Sequence, residues 1–310
     1  MMHLVTGATG QIGSELLPAL AEVYGADHVI AVGHRREPAA DMPVAAYCSL
    51  DIRDQAALKK IVAKHRIACI YHLAALLSAV AEARPQLAWD INMNGLFNVL
   101  EVAREHQCAV FFPSSIGAFG PNTPKIDTPQ DTLQRPSTVY GISKVAGELL
   151  CDYYQRRYGV DARGLRFPGL ISYRTPPGGG TTDYAVEIFA AALQNRRYQC
   201  FLKADTQLDM MYMPDAIAAI IQLMQANPSE LQHHNAFNIT AMSFTPEQLA
   251  AEIRKHIPDF NIDYRIDPIR QGIADSWPAH MDDQAARKEW GWQPRYDLPA
   301  MVSDMLLHMR

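Results

Sequence analysis

The sequence predicts an α/β fold, a doubly wound and mostly parallel sheet joined to a smaller C-terminal α/β lobe. Three observations carry this. Short apolar runs alternate with amphipathic helical patterns as far as about residue 170, the rhythm of strands connected by crossover helices. The first run leads straight into a glycine triplet and then a helical pattern. Beyond it the texture changes: Pro176-Pro-Gly-Gly-Gly180 punctuates the chain, and helical patterns over Ala185 to Leu193, Asp215 to Gln225 and Pro246 to His256 are interspersed with short extended pieces.

In chain order, His3-Leu4-Val5 reads as a buried strand, and Gly7, Gly10 and Gly13 stand three residues apart before Leu16, Leu17 and Leu20. Side-chain-free positions allow a tight turn and close backbone approach, and a helix N-terminus offers unpaired N–H groups to a pyrophosphate. Gly7, Gly10, Gln11, Ile12 and Gly13 are therefore expected to cradle a dinucleotide. His28 to Gly33 reads as the second strand. Its end, about 20 residues past the glycines, is where a carboxylate would meet the adenosine ribose. This chain has Gly33, then His34, Arg35 and Arg36, so an arginine could accommodate a 2′-phosphate instead, unless these are only solvated loop charges. Cys48 to Ile52 closes a third strand, whose Asp51 could accept from an adenine amino group while Ile52 packs on the ring.

A helical pattern (Leu58, Ile61, Val62) precedes a fourth strand, Ala68 to Ala75, whose small terminal residues let a ribose approach Leu73, Ala74 and Ala75. His72 within it reads as structural. Asn92 and Gly95 fall inside a long helical pattern, where each is unfavourable enough to invite a packing or functional reason. A fifth strand, Ala109 to Phe112, runs into Pro-Ser114-Ser115, which puts hydroxyls at the strand end where open α/β sheets bind ligands. On this reading residues 1–170 form the dinucleotide-binding unit and residues 171–310 a substrate lobe, some segments of which return to the first.

Composition narrows the partners. The 310 residues are 48% hydrophobic and 20% charged, with a formal net charge of -5, which suits a soluble protein acting on a small metabolite and argues against nucleic acid. Five cysteines lie scattered without metal-ligand spacing, so we expect reduced thiols, a cytoplasmic location and no metal. No apolar run reaches the roughly 18 residues of a membrane span, and no basic leader opens the chain.

The chemistry is carried by Tyr140-Gly-Ile-Ser-Lys144. If this stretch is helical, phenol and ammonium share one face, and a nearby ammonium favours phenolate, moving the phenol toward use as a general base. With Ser115 at a strand end, the three make a serine, tyrosine and lysine set.

These motifs together, Thr6 to Gly13, Asp51-Ile52, His72 to Ala75, Ser114-Ser115 and Tyr140 to Lys144, resemble the extended short-chain dehydrogenase/reductase family across nearly the whole chain. The resemblance implies a Rossmann-type fold. In it Tyr140 would remove a hydroxyl proton, Ser115 hold the substrate oxygen, and Lys144 bind the nicotinamide ribose and lower the tyrosine pKa. Within the family, Leu165 to Ser172 followed by Pro177 to Ala185 looks like the signature of the short-chain-type L-threonine 3-dehydrogenases. Leu73 to Ser78, Met210 to Asp215, Ile273 to Pro278 and Met281 to Trp292 match as well. That resemblance implies Pro168 and Leu170 near the nicotinamide, and Ser78, Thr181, Thr182 and Asp183 around the amino acid. It implies NAD as cofactor, with NADP possible for want of an acid after the second strand. It also implies a homodimer packing the helices around Asn92 to His106 and Lys144 to Tyr158.

A physical reading of the loop agrees. Threonine needs donors for its carboxylate, an acceptor for its ammonium and an oxidising pair for its alcohol, and Gly178 to Asp183 supplies donors and an acceptor together. Its three glycines permit a hinge, so the loop is expected to order over substrate. Two other readings compete. A nucleotide-sugar epimerase or dehydratase would share the first unit, but its pocket would call for arginines on a diphosphate. A catalytically silent dinucleotide sensor would be free to lose Ser115, Tyr140 and Lys144, which are all present.

Overall fold

The computed structural model describes residues 1–176 and 178–309. Its strands are β1 (Met2–Thr6), β2 (Val29–Gly33), β3 (Ala46–Ser49), β4 (Ile67–His72), β5 (Ala109–Ser115), β6 (Ala162–Phe167), β7 (Gly169–Ile171), β8 (Arg197–Cys200), β9 (Leu208–Tyr212), β10 (Phe237–Asn238), β11 (Met242–Phe244) and β12 (Asn261–Tyr264). Seven of them form one parallel sheet in the order β3-β2-β1-β4-β5-β6-β10. The connections run outward in opposite senses from β1 and β4, and a crevice opens at the carboxyl ends of the strands at that switch point.

The strands read as apolar runs because helices cover both faces. On one face Leu16, Leu17 and Leu20 of helix Gln11–Tyr24 pack with Val5 and Ala31 of the sheet and with Ile217, Ile220 and Leu223 of helix Met213–Gln225. On the other, Leu58 and Val62, Leu96 and Val99, and Cys151 and Tyr154 come from helices Gln55–His65, Gly95–His106 and Val139–Tyr158 to cover Leu4, Ile30 and Val110. A third core, with Phe189, Leu208, Phe244, Ile253 and Met305 among its members, builds the smaller lobe. The chain beyond β7 divides between the two: β10 pairs with β6, and Met213–Gln225 lies on the large sheet.

Local detail differs from the sequence reading where tertiary contacts decide. β3 ends at Ser49 and β4 at His72, so Asp51, Ile52 and Leu73 to Ala75 lie in the loops beyond. The helical pattern around Asn92 is broken into Pro85–Trp89, a π-turn Asp90–Asn94, and Gly95–His106. Such turns are rare and re-aim side chains. Gly95 follows because a Cβ there would lie 2.9 Å from Ile52 Cγ2.

His3 in β1 is 2% exposed, stacks on Tyr24 with centroids 4.1 Å apart, and has no hydrogen-bond partner for either ring nitrogen among the described residues. Burial pushes its pKa down to about 4. The folded state thus favours the neutral ring, and this contribution is whole above the ordinary value near 6.5 and lost as pH falls toward 4. A His3→Phe variant keeps the stacking and removes the titration. We expect urea unfolding measured from pH 7 to pH 4 to show a loss of stability smaller by about 1–2 kcal/mol, once solvent screening is allowed for. An unchanged pH slope would rule the effect out.

Candidate active site

The three glycines after β1 do different work. Gly7 has φ +66°, and a Cβ on it would lie 2.8 Å from backbone atoms of Leu73 and Ala74. A Cβ on Gly13 would lie 2.4 Å from the Gly7 carbonyl oxygen, so this position sets how closely helix and strand approach. A Cβ on Gly10 would meet only the Gly7 carbonyl oxygen, at 3.3 Å, and the helix that follows has no side-chain cap and no acid in its first turn. Bare N–H groups beside an open, side-chain-free turn fit a dinucleotide's pyrophosphate.

Thr6 and His72 brace this turn. Thr6 Oγ1 accepts from the N–H groups of Leu73 at 3.1 Å and Ala74 at 3.3 Å, and lies 3.0 Å from His72 Nδ1. With two donors already on the oxygen, the hydroxyl proton goes to Nδ1 of a neutral imidazole. Burial and the Lys144 charge push the His72 pKa down to about 3, so this histidine is a fixed structural acceptor.

Two adjoining clefts run from the turn. One of about 660 Å³ is bordered by the glycines, Ser78, Ser115, Tyr140, Lys144, Pro168 and Leu170, and the loop from Gly178 to Asp183. The other, about 530 Å³, continues over Ala74 to the ends of β2 and β3, where Asp51 and Ile52 stand. Every site residue expected from the sequence borders one or the other except Asn92. Asn92 sits behind the wall, its Oδ1 accepting from Leu76 N at 2.8 Å and its Nδ2 donating to Leu76 O at 3.1 Å. It fixes the loop that carries Leu73 to Ala75.

Thr138 caps the helix that bears the reactive pair, its Oγ1 accepting from Gly141 N at 3.0 Å. One turn apart on this helix, Lys144 Nζ lies 5.3 Å from the Tyr140 ring centroid and donates to Pro113 O at 2.7 Å. Ser115 Oγ accepts from Gly117 N at 3.0 Å. A Cβ on Gly117 would lie 3.2 Å from Tyr140 Cε1 and 3.4 Å from Ser115 Oγ, so glycine lets phenol and hydroxyl share one corner. Ser114 faces elsewhere: its hydroxyl donates to Glu148, which also pairs with Arg166 at 2.9 Å.

One electrostatic expectation is corrected here. Lys144 does not hold the Tyr140 phenol below its ordinary pKa. Burial pushes the phenol up to about 12, only partly offset by a hydrogen bond from Ser115, and pushes the Lys144 ammonium down to about 8. Both groups are buried at the wall of the cleft, and desolvation disfavours both charged forms together.

The loop over the cleft is tied at several points. Ser14 and Thr175 hydroxyls meet at 2.7 Å, and Ser172 donates to Glu15. Asp183 Oδ2 accepts from Gly179 N at 2.8 Å and Gly180 N at 2.7 Å, while burial raises the Asp183 pKa. Ser78 Oγ lies 3.4 Å from Thr181 Oγ1. Cβ atoms on Gly178 and Gly179 would meet Leu77 and Val80 at 3.1 and 3.4 Å, so the strap spans from the first helix to the opposite wall. Pro177, part of the sequence motif, lies outside the described residues. Sequence reasoning gave no role to Leu77, Val80 and Trp277, which also border the cleft; a lone apolar or aromatic side chain in an amphipathic segment reads as core.

Residues 3–240 match the NAD dependent epimerase/dehydratase family. A protein of Staphylococcus haemolyticus described as an uncharacterized epimerase/dehydratase is 54% identical over 305 residues, covering 98% of this chain and 96% of its own. The solved L-threonine dehydrogenase from Clostridium difficile is 55% identical, with TM-score 0.96 over 99% of this chain and 97% of that one. The holo form of a GalE-like L-threonine dehydrogenase from Cupriavidus necator is 51% identical, with TM-score 0.97 and 100% of both chains covered. A monomeric L-threonine 3-dehydrogenase from a metagenome, in its apo form, is 47% identical, with TM-score 0.96 over 100% of this chain and 99% of that one.

Proposed function

This chain belongs to the NAD dependent epimerase/dehydratase family, and within it we propose an L-threonine 3-dehydrogenase that oxidises the 3-hydroxyl of L-threonine to 2-amino-3-ketobutyrate. The observation that carries the reading is the meeting, in one cleft, of Ser115, Tyr140 and Lys144 with Ser78 and the Thr181 to Asp183 loop, in a chain that closely matches L-threonine dehydrogenases over its whole length. Residues 1–170 are assigned mainly to the cofactor and residues 171–310 mainly to the substrate, with β10 and helix Met213–Gln225 returning to the first unit.

In this reading Gly7 to Gly13 hold the pyrophosphate, Asp51 and Ile52 the adenine, and Leu73 to Ala75, Pro168 and Leu170 the nicotinamide half, with Asn92 fixing their loop. Ser115 donates to the substrate oxygen, Tyr140 takes the hydroxyl proton, and Lys144 holds the nicotinamide ribose. NAD, when bound, supplies the acceptor for the hydride that leaves the same carbon. Thr181, Thr182 and Ser78 offer hydroxyls to the substrate carboxylate, and the free oxygen of Asp183 accepts from its ammonium. NAD is proposed as the preferred cofactor of turnover because the first unit fits the family, while binding of a 2′-phosphate at the adenosine end is a separate question. A higher kcat/KM with NADP would reverse that preference.

The proposal includes a homodimer, supported by the surface. Phe97, Ile142, Leu149 and Tyr153, on the helices Gly95–His106 and Val139–Tyr158, are 46%, 45%, 60% and 48% exposed, an apolar patch of the kind that marks an interface. A cytoplasmic location belongs to the same proposal, with all five cysteines free and no helix among the described residues long and apolar enough to cross a membrane.

Purified protein mixed with L-threonine and NAD at mildly alkaline pH should reduce the cofactor. Tyr140→Phe should lower kcat by about 10²–10⁴ while NAD binding persists; no turnover with NAD or NADP in folded protein would shift the reading to a nucleotide sugar. Hydrogen exchange of residues 178–184 should slow when NAD and threonine are both present, and equal protection with and without them would exclude closure. Light scattering should give twice the 34.5 kDa chain mass, with Leu149→Glu shifting it to the monomer. A wild-type monomer would remove the dimer from the proposal.

A further inference from the structure

Among the described residues, the adenosine end of the cleft is built without a free carboxylate. At the end of β2, where an acid would stand, a Cβ on Gly33 would lie 2.8 Å from the Tyr47 hydroxyl oxygen and 3.0 Å from Arg36 O. Tyr47 fills that volume and is locked there, its hydroxyl donating to Arg36 O at 2.9 Å. A longer side chain at position 33 has no room while Tyr47 is in place.

Asp51, the one carboxylate among the described residues that border this cleft, is already engaged. Its oxygens accept from Arg53 Nε at 3.0 and 3.2 Å, from Arg53 Nη2 at 2.6 Å and from Arg53 N at 3.1 Å. His34 Nε2 stands 3.9 Å away. The rest of the charged lining is basic: His34, Arg35, Arg36, Arg53 and Arg84. Arg35 and Arg36 are exposed and have no salt-bridge partner among the described residues. Arg36 borders both clefts and so stands where the turn and the adenosine end meet. A 2′-hydroxyl needs an acceptor at this point, whereas a 2′-phosphate needs cations and the absence of a free carboxylate.

We infer that this site accepts dinucleotides carrying a 2′-phosphate as well as those without one, with Arg35 and Arg36 as the residues that recognise the phosphate and Tyr47 as the residue that keeps an acid out. This rests on the dinucleotide reading of the cleft and is independent of threonine as substrate. Two arginines at a half-open rim act through screened Coulomb attraction, so the preference weakens as salt shortens the Debye length.

Isothermal titration of the wild-type protein with adenosine 2′,5′-bisphosphate and with 5′-AMP tests it without turnover. The bisphosphate should bind at least threefold more tightly than 5′-AMP at low ionic strength, and the ratio should fall as salt rises. Arg35→Gln with Arg36→Gln should abolish the advantage of the bisphosphate over 5′-AMP. A second pair, Gly33→Asp with Tyr47→Ala, makes room for an acid and should weaken the bisphosphate at least tenfold while 5′-AMP still binds. A wild-type preference for 5′-AMP, equal binding of the two, or an advantage that survives the arginine substitutions would overturn the inference. If neither nucleotide binds to protein shown folded by circular dichroism, the dinucleotide reading itself fails, and the inference with it.

Discussion

The arrangement of the site depends on one close approach, that of the turn after β1 to the loop after β4. Gly7 at positive φ leaves no space for a side chain between these backbones, and the Thr6 hydroxyl ties down the first two amides of the β4 loop. This contact lies at the point where the sheet's connections diverge, so it forms the floor of the crevice. The two clefts extend from it, one toward the ends of β2 and β3, the other toward Tyr140 and the strap. A side chain at Gly7 would therefore disturb both halves of the site through their shared floor.

Around that floor the protein keeps several polar groups out of water and satisfies most of them. Arg166 and Glu148, 6% and 3% exposed, pair with each other, and further bonds run to Ser114, Gln134, Gln130 and Asn238. Breaking a buried pair by removing one partner typically costs about 3–5 kcal/mol, because the remaining charge is left uncompensated. This network joins β5, β6 and β10 through Ser114, Arg166 and Asn238. Tyr140 and Lys144 are different, because burial opposes the charged form of each.

Much of this was legible in the sequence because it follows from short-range rules. Glycine spacing places the turn, a separation of four residues puts Tyr140 and Lys144 on one helical face, and alternation of apolar runs gives the parallel sheet. The sequence was silent where distant residues decide. Asn92 looked like an anomaly in a helix, and only the π-turn shows that its amide clasps Leu76. The direction of the Tyr140 shift could not be read from Lys144 alone, since it follows from burial by the surrounding elements. Tyr47, many residues beyond the second strand's end, explains why Gly33 is a glycine, and spacing carries no trace of that contact.

The way helix Met213–Gln225 lies on the large sheet bears on how the protein is made. Its Ile217, Ile220 and Leu223 cover a surface whose other members, from Val5 to Ala31, are synthesised first. On the ribosome the nascent sheet keeps that apolar surface exposed until more than two hundred residues have been polymerised, and β10 arrives later still. The N-terminal segment is thus not a detachable module. Exchanging the C-terminal half for that of another family member would replace part of the sheet's own covering along with the pocket.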